Sequence, residues 1–217
     1  MLSFSAEVFE SFLAQYNREI WPAQAVAQLL ALTAFGFAFR PRPTGIRAVG
    51  IVLAAFWRWT GLRDFHGALA SVSFAAPAIG IGFAFEGVLL LLWTLRARPA
   101  PAPRRRGDAG RPLGMLLAAL GLLWPAVESL SGVPSESLRS LGTTALPTVL
   151  FTLGLLLVAT ERPPVWLIAV PILWSLAGGL AAYGLGLWRD LAMPAAGLAV
   201  VVAIVVHRMR TPKPASG

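Results

Sequence analysis

The chain contains no cysteine, and its only lysine, Lys213, stands against seventeen arginines. Without cysteine there is no disulfide, thiol nucleophile, iron–sulfur cluster or cysteine-based zinc site. A retinal-type Schiff base needs a lysine inside a helix bundle, and Lys213 lies in the tail. The two histidines, His66 and His207, are expected at opposite faces of a bilayer about 30 Å thick, too far apart to share a haem or metal. No Walker A loop and no HExxH occur, which argues against ATP-driven and zincin activities. A Ser131–His66 pair has no nucleophile motif around it. The expectation is therefore no cofactor, no metal and no catalytic set. Charge is scarce as well: 13% of residues are charged and 57% hydrophobic, where a soluble domain has about a quarter charged.

What is present is apolar sequence in long runs. A spanning helix needs about 20 apolar residues. On that measure the chain reads as an all-α polytopic membrane bundle of about seven transmembrane helices. They run over about 21–39, 46–62, 75–95, 113–130, 144–159, 165–186 and 192–207. The second, fifth and seventh are short, and a six-span form with the second or fifth re-entrant is the alternative. Residues 96–112, with Pro99, Pro101, Pro103 and Gly107, read as a Pro/Arg linker dividing three spans from four. Residues 208–217 form a tail.

The basic residues alternate between gaps. Thirteen fall on one side: Arg40, Arg42 and Arg47; Arg96, Arg98, Arg104, Arg105, Arg106 and Arg111; Arg162; and Arg208, Arg210 and Lys213. Arg18, Arg58, Arg63, Arg139 and Arg189 fall on the other. Basic loops stay cytoplasmic, so the N-terminus is expected outside and the C-terminus in the cytoplasm. The net charge of +8 is then topological. Arg104–Arg106 is expected to meet anionic headgroups of the bilayer, and nucleic acid is not expected, since neither motif nor aromatic interleaving accompanies the charge. Residues 1–20 lack a basic n-region and a cleavage site, so no secretory signal peptide is expected. Phe9, Phe12, Leu13, Tyr16 and Ile20 recur at helical spacing, which predicts an amphipathic helix on the outer surface. Trp57, Trp59, Trp93, Trp124, Trp166 and Trp188 fall at span ends, as in an interfacial aromatic belt. The arginine, alanine, glycine and proline usage fits a GC-rich bacterial genome.

Few residues could carry chemistry. Glu86 sits midway through the third span, in line with Gly82 and Ala78. A carboxyl at that depth is costly unless paired or wet. It reads either as a proton- or cation-binding group on a solute path, or as a neutral acid bonded to a neighbouring helix. Thr144, Thr148 and Thr152 form a stripe that either lines a polar path or bonds back to its own helix. Pro147 and Pro171 are expected to kink their helices. The loop from Trp57 to His66 gathers Arg58, Trp59, Arg63 and Asp64. With Arg189, Asp190 and Glu128 it makes an outer charged rim, where a site or an interfacial belt with snorkelling arginines is expected. Ser175, Gly179, Ala182 and Gly186, and likewise Ala75, Ala78 and Gly82, read as packing seams.

Four strings taken in order carry a resemblance. They are Tyr16-Asn17 with Ile20-Trp21-Pro22 and Gln24; Trp57-x-Trp59-x-Gly61 followed by Phe65-His66; Phe151-Thr152-x-Gly154-Leu155-Leu156-Leu157; and Pro171-Ile172-Leu173-Trp174-Ser175-x-x-Gly178 with Ala181-Ala182 and Asp190. Over nearly its whole length the chain resembles an uncharacterised family of bacterial multi-pass inner-membrane proteins, a domain of unknown function. The resemblance implies a polytopic inner-membrane protein with no established activity, and adds weight to Trp57, Trp59, His66 and Asp190. The family pattern has Tyr-His at Phe65-His66, a Pro-Cys-Pro element at Ala145-Leu146-Pro147, Gly-His before Tyr-Pro around Ser131–Pro134, and often Gln at Glu86. A Cys/His metal site is therefore not carried over.

Two functions follow as expectations. The first is a small-solute or ion permease using the polar intramembrane site. The second is a non-transporting accessory, assembly or sensor subunit of a membrane complex, in a homo-oligomer or with a membrane-protein partner.

Overall fold

The computed structural model describes residues 6–39, 43–71, 73–96, 110–160, 163–184 and 186–210. Most of the linker expected at 96–112, most of the tail, and Arg40, Arg42 and Arg162 lie outside the described residues. Within them the protein is all-α, without a strand.

Helix α1 (Ala6–Glu19) meets α2 (Ala23–Ala38) at an 86° bend. The apolar face expected of α1 is there, and Leu13, Tyr16 and Ile20 are buried. That face packs on the connection after α6. Asn17 donates to the Glu136 and Leu138 carbonyls at 2.8 Å each, and Ser137 donates to the Glu10 carbonyl.

Helix α3 (Pro43–Trp59) runs without a break into a π-helical stretch, Thr60–Ala68. There the Leu69 N–H reaches five residues back to the Asp64 carbonyl. This stretch lies directly on α4 (Ala76–Arg96). A Cβ on Gly61 would stand 2.6 Å from the Gly80 carbonyl oxygen, and one on Gly80 would strike Gly61 in return. Only glycine permits so close an approach.

Helix α5 (Gly110–Leu122) is followed by the short α6 (Trp124–Leu130) at a 63° bend. Helix α7 (Ala145–Ala159) is the centre of the bundle, and every residue from Leu146 to Val158 is buried. It packs backbone to backbone on α5. A Cβ on Gly114 would lie 2.7 Å from the Gly154 carbonyl, and one on Gly121 would lie 2.7 Å from the Pro147 carbonyl. Pro147 occupies the first turn of α7, where its missing N–H breaks no bond, so no kink arises there. Helices α8 (Val165–Gly184) and α9 (Ala192–Arg210) close the bundle. Their seam is part of the one expected on the sixth span, with Gly179 against Pro194 and Ser175 against Gly197, whereas Gly186 lies beyond α8 with nothing within 4 Å of an added Cβ. The expected seam on α4 is displaced. Gly82 faces open space, while Gly80 and Gly87 make the close contacts.

The expected number of spans is corrected. Three helical segments are long and apolar enough to cross a membrane: Ala76–Arg96, Val165–Gly184 and Trp188–Met209. The count rises to five if the bent pairs α1–α2 and α5–α6 are each one span. Seven are not supported. Helix α3 has 17 residues and carries Arg47 and Arg58. Helix α7 has 15, about 22 Å at about 1.5 Å per residue, short of a hydrocarbon core about 30 Å thick. The three long helices are apolar on their outer faces too, exposing Ile81, Phe85, Leu173, Leu180, Leu198 and Val202. Side chains of that kind on a helix surface suit lipid and not water.

The aromatic belt is corrected in part. Trp166 and Trp188 are exposed and Trp59 is half-buried, but Trp57, Trp93 and Trp124 are buried in the core. Trp93 and Trp124 lie near helix ends, whereas Trp57 lies where α3 continues into the π-helical stretch.

Candidate functional site

The connection between α6 and α7, residues 131–144, is long for a bundle, where about 2–8 residues are usual. Its one basic residue, Arg139, turns inward. The Nε donates to Glu128 Oε1 at 2.5 Å, and its backbone N–H donates to Oε2 of the same carboxylate at 2.6 Å. The Nη1 and Nη2 groups donate to Asp190 Oδ2 and Oδ1 at 2.7 and 2.6 Å, a two-pronged pairing. Arg139, Glu128 and Asp190 are 6%, 1% and 4% exposed. Burial pulls the Arg139 pKa down, but the bonds and charges of Asp190 and Glu128 outweigh it and the net shift is upward. The guanidinium also lies over the Trp124 ring, 5.9 Å from its centre.

Beside this triad is a cavity of about 170 Å³. Phe9 and Leu13 of α1 overhang it, Ala76 and Ile79 of α4 and Trp174 of α8 wall it, and Asp64, Arg139 and Asp190 bring the charge. Asp64 is 6% exposed and accepts no side-chain hydrogen bond or ion pair among the described residues. Burial pushes its carboxyl up to about 8, with the Arg139 charge pulling the other way. Tyr16 is raised as well, first by burial and then by the Asp64 charge. Tyr16 donates to the Thr143 carbonyl at 3.1 Å and receives the Trp59 Nε1–H at 3.2 Å, which fixes α1 over the site.

Below the cavity the aromatic rings close ranks. Phe65 packs edge-on to Trp174 at 5.1 Å, Phe83 lies 4.9 Å from Phe65 and 5.1 Å from Trp174, and Trp57 stacks on Phe83 at 4.5 Å. Along α4 the order is Ala76 and Ile79 on the cavity wall, Phe83 in this cluster, then Glu86.

The candidates expected from the sequence are thus divided. Asp64 and Asp190 come together at the cavity. Arg58, Arg63 and His66 are exposed, as a rim requires. Asp64, Asp190 and Glu128 are buried, so the rim is corrected to an inner charged cluster with exposed arginines around it. Trp57 donates to Thr152 Oγ1 at 2.8 Å. Thr152 and Thr148 donate to the carbonyls four residues back, so both bond to their own helix and neither lines the cavity. Glu86 is fully buried, neither oxygen has a hydrogen-bond partner, and it is not on the cavity wall. Arg139 and Trp174 were the residues the sequence did not single out. The length of the connection holding Arg139 was the available signal. Among the described residues no three His, Asp or Glu gather as metal ligands.

Bundle, cavity and cluster define an all-α protein with at least three helices able to cross a membrane and a buried charged site at one end. The chain belongs to a family of unknown function (DUF6064), which matches residues 6–214. No curated protein and no solved structure matches it.

Proposed function

We propose that this is a multi-pass membrane protein of the bacterial inner membrane that captures a small solute in the cavity beneath α1. The N-terminus is outside, the C-terminus is cytoplasmic and the cavity opens outward. Basic residues beside spans favour the cytoplasmic face, and among the described residues Arg96 at the end of α4 and Arg208 near the end of α9 lie at the far ends of helices that start at the cavity, which supports that orientation. One observation carries the reading: a buried Arg139–Asp190 pair, and an Asp64 carboxyl without a hydrogen-bond partner among the described residues, line a mostly apolar cavity. Apolar hollows with a few convergent polar groups are where small molecules bind.

Continued inward, the reading is a permease. The cavity is its entrance, the Phe65–Phe83–Trp174 cluster is its closed constriction, and Glu86 lies one helical turn further in. A second reading is a non-transporting sensor or accessory subunit with the same cavity and no path beyond it. The sealed surroundings of Glu86 and the wholly buried α7 favour that reading. Thermal-shift screening of the purified full-length protein against ions and metabolites tests solute capture, since native-state binding raises the midpoint. Flux of a binding solute into proteoliposomes separates the two readings: permeation supports the first, and binding without flux supports the second.

A further inference from the structure

We propose that the cavity takes a small organic cation, an ammonium on an apolar body of about one ring, with the Asp64 carboxylate as its counter-ion. This rests on the solute-capture reading above and names the class of solute.

The first argument is charge. Asp64 and Asp190 line the cavity, and Arg139 is its sole basic lining residue among those described. The Arg139 charge is already shared between two carboxylates, Glu128 and Asp190, with three side-chain N–H bonds committed to them. Once Asp64 is ionised the lining carries two carboxylates against one guanidinium, an excess of negative charge. An anion placed there would meet Asp64 and Asp190 at close range, whereas a cation would meet a carboxyl that is nine-tenths buried and has no hydrogen bond or ion pair among the described residues. A carboxyl out of water is costly until a partner arrives, and a cationic ligand supplies that partner.

The second argument is shape and lining. The rest of the wall is mostly apolar and aromatic, with Phe9, Phe65 and Trp174 around the hollow and only Ser73, Thr144 and the Trp174 N–H as neutral polar groups. Aromatic faces attract ammonium groups. A cavity of about 170 Å³ is close to the roughly 150 Å³ that accommodates benzene in an apolar protein interior. The body of the solute is then one ring or a short branched alkyl group.

Binding is linked to protons. The groups facing Asp64 are Tyr16 on α1 and Arg139 on the α6–α7 connection, with Asp190 on the same wall and Arg189 paired to it; Arg63 and His66 adjoin Asp64 in sequence but are exposed. Among these, Asp64 is the carboxyl held up at about 8. A cation that requires the ionised form displaces its proton below that pH. Affinity therefore rises as pH rises towards about 8 and levels off above it.

The test uses full-length protein in detergent with three probes of one shape: 2-phenylethylammonium, 3-phenylpropionate and 3-phenylpropanol. Calorimetric titration is expected to show the ammonium binding at least tenfold tighter than either analogue, and tighter at pH 8 than at pH 6. Asp64→Asn, which mimics the neutral acid and keeps the fold, is expected to lose at least tenfold in ammonium affinity and the pH dependence with it. Equal or tighter binding of the carboxylate or alcohol, or an Asp64→Asn protein that binds ammonium unchanged, overturns the cation class and leaves solute capture standing. Silence of all three probes also overturns it. Solute capture falls only if the broader metabolite screen is silent too.

Discussion

Arg139 grips Asp190 with both terminal nitrogens across 51 residues of sequence, joining the α6–α7 connection to the turn that starts α9. The pair, with Glu128 behind it, is buried at the cavity wall. A buried ion pair adds little net stability when complete, but breaking it leaves a charge stranded. Arg139→Met strands two carboxylates and is expected to destabilise the protein by about 3–5 kcal/mol, read as a lower thermal midpoint in detergent. Arg139→Lys keeps the charge but loses the fork, and its midpoint is expected between the two.

Asp64 gives a pH dependence of definite sign. Its pKa rises from 3.8 to about 8 on folding, so the folded state holds the proton more tightly than the unfolded chain. The associated stability is complete below about pH 4 and falls as pH rises to about 8. Melting curves across that window are expected to fall more steeply for the natural protein than for Asp64→Asn. Parallel curves would show that Asp64 is not buried as described.

Glu86 separates path from packing. With no hydrogen bond to either oxygen, it is a polar group buried without return. Glu86→Leu is expected to raise the melting midpoint. If the stabilised variant keeps full solute flux in proteoliposomes, Glu86 has no part in permeation; loss of flux with retained binding places it on the path.

The α5–α7 contact is set by glycine. Gly154→Val forces a branched side chain onto the backbone of α5 near Ala118 and is expected to cost at least about 1–3 kcal/mol. Gly36→Ala, in α2 with nothing within 4 Å of the added carbon, is expected to stabilise by about 0.5–1 kcal/mol. Unfolding of the two variants under one detergent condition checks the contrast.

Tyr16 holds α1 over the cavity. Tyr16→Phe removes its bond to Thr143 and leaves the Trp59 N–H without an acceptor. The expected cost is about 1–3 kcal/mol, with faster proteolysis of α1 than of the bundle.

The helical class and the apolar face of α1 were legible because each is a local pattern. Asp64 and Asp190 could be nominated from their types and position near the helix ends. Their burial could not, because it depends on Arg139 reaching both Glu128 and Asp190, a pairing that no periodicity records. The Thr148–Thr152 stripe was ambiguous for the same reason: only the neighbours decide whether a hydroxyl faces a path or its own backbone. Gly82 and Gly80 are two residues apart on α4, and the α3 stretch that packs there selected Gly80. The span count failed where helix length mattered, since an apolar run such as α7 reads alike whether it faces lipid or is wrapped by other helices.

The π-helical stretch Thr60–Ala68 acts as a register device. An α-helix turns about 100° per residue, so deleting a single residue there and restoring ordinary winding would swing everything after it by about that angle. Asp64 would leave the cavity while Gly61, at the start of the stretch, stayed against Gly80. The extra residue that the wider winding accommodates is what lets the carboxyl face the cavity. Gain or loss of solute binding in such a fold can therefore turn on a change in length, with no change in the chemistry of any side chain.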